Sequence, residues 1–133
     1  MLNLIQTVKK LTAVFGEQLE IYKKLTKLTS SLSADIARTK GNLNGLTAKF
    51  DEENKLIEEI AKLKNSAADD IEIWLAEKHN AVFNEAKILD ETIKKVQEEI
   101  VRFLEAEKIL KKQIDFYRTK NEPESNGSGD ATI

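Results

Sequence analysis

The sequence predicts an all-α fold, an elongated antiparallel three-helix bundle of coiled-coil type with a disordered C-terminal tail. Three observations carry this. Of 133 residues, 41% are apolar and 33% charged, with only 5 Gly and 1 Pro, a balance suited to long helices. Apolar residues recur at steps of three and four along most of the chain. The few helix breakers lie mainly between the periodic segments rather than inside them.

The first helix is expected over about residues 3–40. Leu4, Val8, Leu11, Phe15, Leu19, Tyr22, Leu25, Leu28, Leu32 and Ile36 form one continuous face. Gly16 sits inside this pattern and costs about 1 kcal/mol relative to Ala without ending the helix. Lys40-Gly41-Asn42-Leu43-Asn44-Gly45 then reads as a turn. Gly41 is free to take the left-handed conformation that closes a helix, and Asn42 is a candidate cap for the next.

A second helix is expected over about 42–78, with Leu43, Leu46, Phe50, Ile57, Ile60, Ala67, Ile71 and Trp74 in phase. Two breaks compete here. Asn65-Ser66 offers a Ser-x-x-Asp cap through Asp69, and Lys78-His79-Asn80 offers another stop. The second is favoured, because the seam passes Asn65 without a phase jump and three helices of matching length result.

The third helix, about 81–118, is the most regular. Val82, Ala86, Leu89, Ile93, Val96, Ile100, Phe103, Leu110, Ile114 and Tyr117 keep a seven-residue repeat interrupted only by Glu107. Val101, Leu104, Ile109 and Phe116 widen the stripe beyond what a two-stranded seam needs, which implies a third helix or a partner. After Lys120 the residues NEPESNGSGDATI hold the sole Pro and no apolar period, so residues 121–133 are expected to be disordered. Helices of about 37 residues would each span about 55 Å, and short connections make neighbours antiparallel. The product is one rod-shaped domain, 1–120, open to pairing with a second copy as a homodimer.

Several function classes are disfavoured. With no Cys there are no disulfides, thiolate metal sites or Cys nucleophiles. The net charge of −2 divides into +4 for residues 1–40, −4 for 41–79, +1 for 80–120 and −3 for the tail. Alternating blocks suit helices side by side, whereas nucleic-acid binding needs clustered, unopposed Lys and Arg. No run approaches the roughly 20 apolar residues of a membrane span, and Met1 to Lys10 lacks a signal-peptide pattern, which leaves a cytoplasmic setting as the expectation.

Catalytic and cofactor chemistry finds no foothold in the pattern. His79 is the only His, and Ala76 stands where a Glu-x-x-His metal pair would need Glu. Glu52-Glu53, Glu58-Glu59, Asp69-Asp70 and Glu98-Glu99 are adjacent on helices, diverge by about 100°, and read as solvated flanks. Gly41 and Gly45 are followed by Leu46-Thr47-Ala48 rather than a P-loop Gly-Lys-Ser/Thr. An enzyme is not expected, and neither a cofactor nor a metal. Trp74 reads as core, and Phe116-Tyr117 reads equally as bundle packing or as an anchor for a partner helix.

The stretch from Thr39-Lys40-Gly41-Asn42-Leu43-Asn44-Gly45-Leu46 through Phe50, Glu53, Leu56-Ile57 and Ile60 resembles the FlgN family of flagellar export chaperones. That family shows a Gly-Asp/Asn-Leu turn, a Leu three residues on, then a Glu/Gln and Leu-Leu/Ile run. Gln18 to Leu25 is similar to its first helix, and Leu104 to Tyr117 to its closing helix. Glu105 and Glu107 stand where the family carries Asn, and Ile109-Leu110 stands for its leucine pair. The resemblance implies a chaperone that holds hook–filament junction proteins and delivers them to the type III export apparatus. Client binding would then fall on Leu104, Ile109, Leu110, Ile114 and Phe116, together with the tail. The alternative is a scaffolding coiled coil that self-associates without a secretion client.

Overall fold

The computed structural model describes residues 2–121, which are all-α. Four α-helices follow one another: α1 (Leu2–Arg38), α2 (Thr47–Ser66), α3 (Ala68–Glu77) and α4 (Asn84–Asn121), with a 3₁₀ turn at Lys78–Asn80 before α4. The expected tail falls outside the described residues, except for Asn121, which ends α4.

Packing fixes the direction of each pass. Leu4, Val8 and Leu11 at the start of α1 share a cluster with Ala67 and Trp74, and with Ala86 and Leu89 at the start of α4. Ile21, Tyr22 and Leu25 meet Leu56, Ile60, Val96 and Phe103 at mid-length. Leu32 and Ile36 close the far end with Leu46 and Leu110. The chain therefore runs up through α1, back through α2 and α3, and up again through α4. Consecutive passes are antiparallel, as expected, and the two long helices α1 and α4 lie side by side, pointing the same way. Burying a Leu or Ile side chain contributes about 1.5–3 kcal/mol, so these three clusters are what hold the rod together.

The turn after α1 is built as a Schellman closure. Lys40 N–H donates to Ala37 O at 3.3 Å, and Gly41 N–H reaches back to Ile36 O at 2.9 Å. Lys40 (φ 55°) occupies the left-handed position and Gly41 (φ 90°) follows it in the same half of backbone space. Gly41 does turn the chain, but it does so one residue after the cap itself. Asn42 does not cap α2, because its Oδ1 accepts the Asn44 N–H at 3.0 Å in a local turn. The second helix starts later than expected, at Thr47, preceded by buried Leu46 without a side-chain cap.

Both competing breaks in the return pass exist. Lys78–Asn80 forms the 3₁₀ turn, and Ala67 interrupts the helix for one residue with φ −104° and ψ 1°. The second break is shallow: Ala67 N–H is shared between Leu63 O and Lys64 O, and Ile71 N–H still finds Ala67 O at 2.9 Å. No Ser-x-x-Asp cap forms, since the Ser66 hydroxyl donates backwards to Leu63 O. The seam passes through unchanged, with Ile60, Ala67 and Trp74 all buried.

Candidate functional site

The site is built up from α4, whose inner line fixes what its other faces offer. Val96, Glu99, Phe103, Ala106 and Leu110 are the buried positions of its middle and later turns. Leu110 belongs to the far-end core cluster, with Phe50, Ile114 and Tyr117 packed partly buried against it. Leu104 and Ile109 remain 55% and 52% exposed, and Phe116 is exposed as well. Val82, placed in the seam by its spacing, is 88% exposed because α4 starts only at Asn84.

The five residues singled out on α4 do not form one surface. Leu104, Leu110 and Ile114 line a single groove between α2 and α4, with Phe50 and Glu53 contributed by α2 and a volume of about 720 Å³. Ile109 lies on the other flank of the helix, since five residues at 100° each place it about 140° from Leu104. Phe116 shares that opposite flank and sits beside Lys112, Asp115 and Thr119. Its ring meets Tyr117 edge-on at 5.0 Å and 80°. A smaller cleft of about 270 Å³ continues along α2 and α4, lined by Tyr22, Ile57, Ile60, Lys64 and Phe103. Glu107 lines both grooves and joins them.

Carboxylates are where the structure departs most from the sequence reading. Three of the four adjacent pairs each send one member inward rather than standing wholly as solvated flanks. Glu53 is 8% exposed and accepts a hydrogen bond from the Thr29 hydroxyl at 2.8 Å, tying α2 to α1. Glu99 is 6% exposed, accepts from Thr26 at 2.8 Å and pairs with Arg102 at 2.9 Å, tying α4 to α1. Asp70 pairs with Lys10 at 2.8 Å, and this bond raises the lysine pKa. Asp35 near the end of α1 binds Lys49 and Arg38, and these bonds hold its carboxyl below the usual range. The missed signal was register: Leu46, Glu53, Ile60, Ala67 and Trp74 are spaced by seven, and Thr29 lies on the α1 seam facing them.

Glu107 differs from these. It makes no hydrogen bond or ion pair among the described residues. Burial raises its pKa, the Glu53 charge raises it further, and Lys111 opposes both more weakly. Metal chemistry has no geometric support among the described residues, where no three His, Asp or Glu side chains converge. No described helix is long and apolar enough to cross a membrane. No protein family, characterised protein or solved structure matches the chain.

Proposed function

We propose that the protein is an export chaperone that holds hook–filament junction proteins and delivers them to the type III export apparatus, in the cytoplasm. The observation that carries this reading is the surplus apolar surface of α4. Its inner line is fully used by the bundle, yet Val101, Leu104 and Ile109 stand on its outer faces. Such side chains are suited to helix-in-groove contacts with a client. The resemblance of residues 39–60 and 104–117 to the FlgN family supports the same reading. A scaffolding role by self-association is the second reading. It is favoured by exposed Ile73, Leu75, Val82 and Ile88 at the opposite end of the rod, away from the proposed client surface.

Capture of a purified hook–filament junction protein on the immobilised full chain tests the first reading. Retention is expected, and it should fall when residues 122–133 are removed while helicity and melting stay unchanged. An intact chain that retains no junction protein and sediments as a stable dimer would replace the chaperone reading with the scaffold.

A further inference from the structure

We propose that the groove between α2 and α4 accepts an amphipathic helix of the client bearing a Lys or Arg in the middle of its apolar face, with Glu107 and Glu53 as the counter-charges. The proposal rests on the protein-binding reading above and adds what the bound helix must look like. The walls supply the apolar part: Phe50 from α2, and Leu104, Leu110 and Ile114 from α4. From Leu104 to Arg118 the groove follows α4 for about four turns, some 21 Å, enough for a helical segment rather than one side chain.

The charges select the occupant. Glu53 is buried with only one oxygen engaged, by Thr29, and Glu107 is half-buried and unpaired among the described residues. Two carboxylates that repel each other at a partly desolvated surface are made good by an incoming cation. The basic residues of the groove, Lys108, Lys111 and Arg118, are all exposed, as is Asp115. Acid inside and base outside therefore ask for a helix with its cation central and its acids peripheral. Residues 122–133 of this chain do not fit, because they contain three acidic residues and no Lys or Arg.

Three fluorescent helical peptides of about 20 residues, each about 30 Å long at 1.5 Å per residue and so longer than the groove, test this. All carry a leucine face at three- and four-residue spacing; one has Lys at its centre, the second norleucine, the same stem without the charge, and the third Glu. By fluorescence anisotropy the full chain should bind the Lys peptide at least about tenfold more tightly than the norleucine peptide. Glu107→Gln should erase that preference, and Glu107→Lys should transfer it to a peptide with central Glu, while circular dichroism shows all variants folded. Equal binding of the Lys and norleucine peptides, no binding of either, or a preference that survives Glu107→Gln overturns the proposal. So does a wild-type dimer that Glu107→Lys converts to monomer in sedimentation, since the occupant is then a second copy. If the Lys preference holds but no junction protein is captured, the chaperone reading falls and the groove chemistry stands. If a junction protein is captured with no Lys preference, the groove proposal alone falls.

Discussion

A hydroxyl and a carboxylate at mid-rod show how polar residues set the alignment of the helices. Thr29 is fully buried and its only described side-chain partner is Glu53. Removing the hydroxyl leaves a buried carboxylate without its partner, at a cost of about 1–3 kcal/mol. Thr29→Val is therefore expected to lower urea-unfolding stability by that amount, whereas the double variant Thr29→Val/Glu53→Leu should recover most of it. Additive losses would show that the pair does not interact. Glu107 gives a pH signature of opposite sign to Asp35. Its folded pKa lies above the ordinary 4.5, so the folded state favours the proton and stability falls as pH rises through the raised value. Glu107→Gln should raise the melting midpoint at pH 7 and leave it unchanged well below pH 4.5, where the carboxyl is protonated in both states. Asp35, with a lowered pKa, contributes stability above its ordinary value that is lost on acidification through the folded value. Asp35→Asn should therefore destabilise at neutral pH and do so less and less as the pH falls.

At the scale of the element, glycines separate propensity from conformation. Gly16 lies within α1, and a Cβ there would meet nothing within 4 Å. Gly45 has equally open space, but its φ is +88°. Gly16→Ala is thus expected to stabilise by about 0.5–1 kcal/mol, and Gly45→Ala to destabilise by about 1–2 kcal/mol through the left-handed backbone alone. Chemical denaturation of the two variants reads both signs, and a shared sign would refute the distinction. The helix ends were harder to read than the helix faces. Asn42 and Ser66 mark the right regions but bond nearer backbone groups instead of capping, so α2 starts only at Thr47 and its break falls at Ala67. The spacing places Leu43 and Ile57 on the seam of the second helix, yet both stay 41% exposed, and it is Leu56 that enters the mid-length core. Adjacent positions differ by about 100°, and only the lie of α2 against α1 decides between Leu56 and Ile57.

Across the whole molecule the periodicity of α1 and α4 was enough to read the architecture, because a long seam has to face another seam. What the spacing could not give was the partition of α4 between core and exterior. Leu104, Ile109, Leu110, Ile114 and Phe116 form one sequence cluster, but the bundle uses Leu110, turns Leu104 to the groove and points Ile109 to the opposite flank. This division predicts that stability and client capture separate by residue. Leu110 is 5% exposed, so Leu110→Ala should cost about 2–5 kcal/mol by losing burial and leaving a cavity. Leu104→Asp and Ile109→Asp act at exposed positions and should each stay within about 0.5 kcal/mol of wild type. Urea melts measure the first quantity, and capture of a hook–filament junction protein measures the second. A client seated in the α2–α4 groove requires Leu104→Asp to abolish capture while Ile109→Asp leaves it intact. The reverse result would move the client to the flank shared by Ile109 and Phe116. Loss of folding in Leu104→Asp would instead mark that side chain as part of the bundle core.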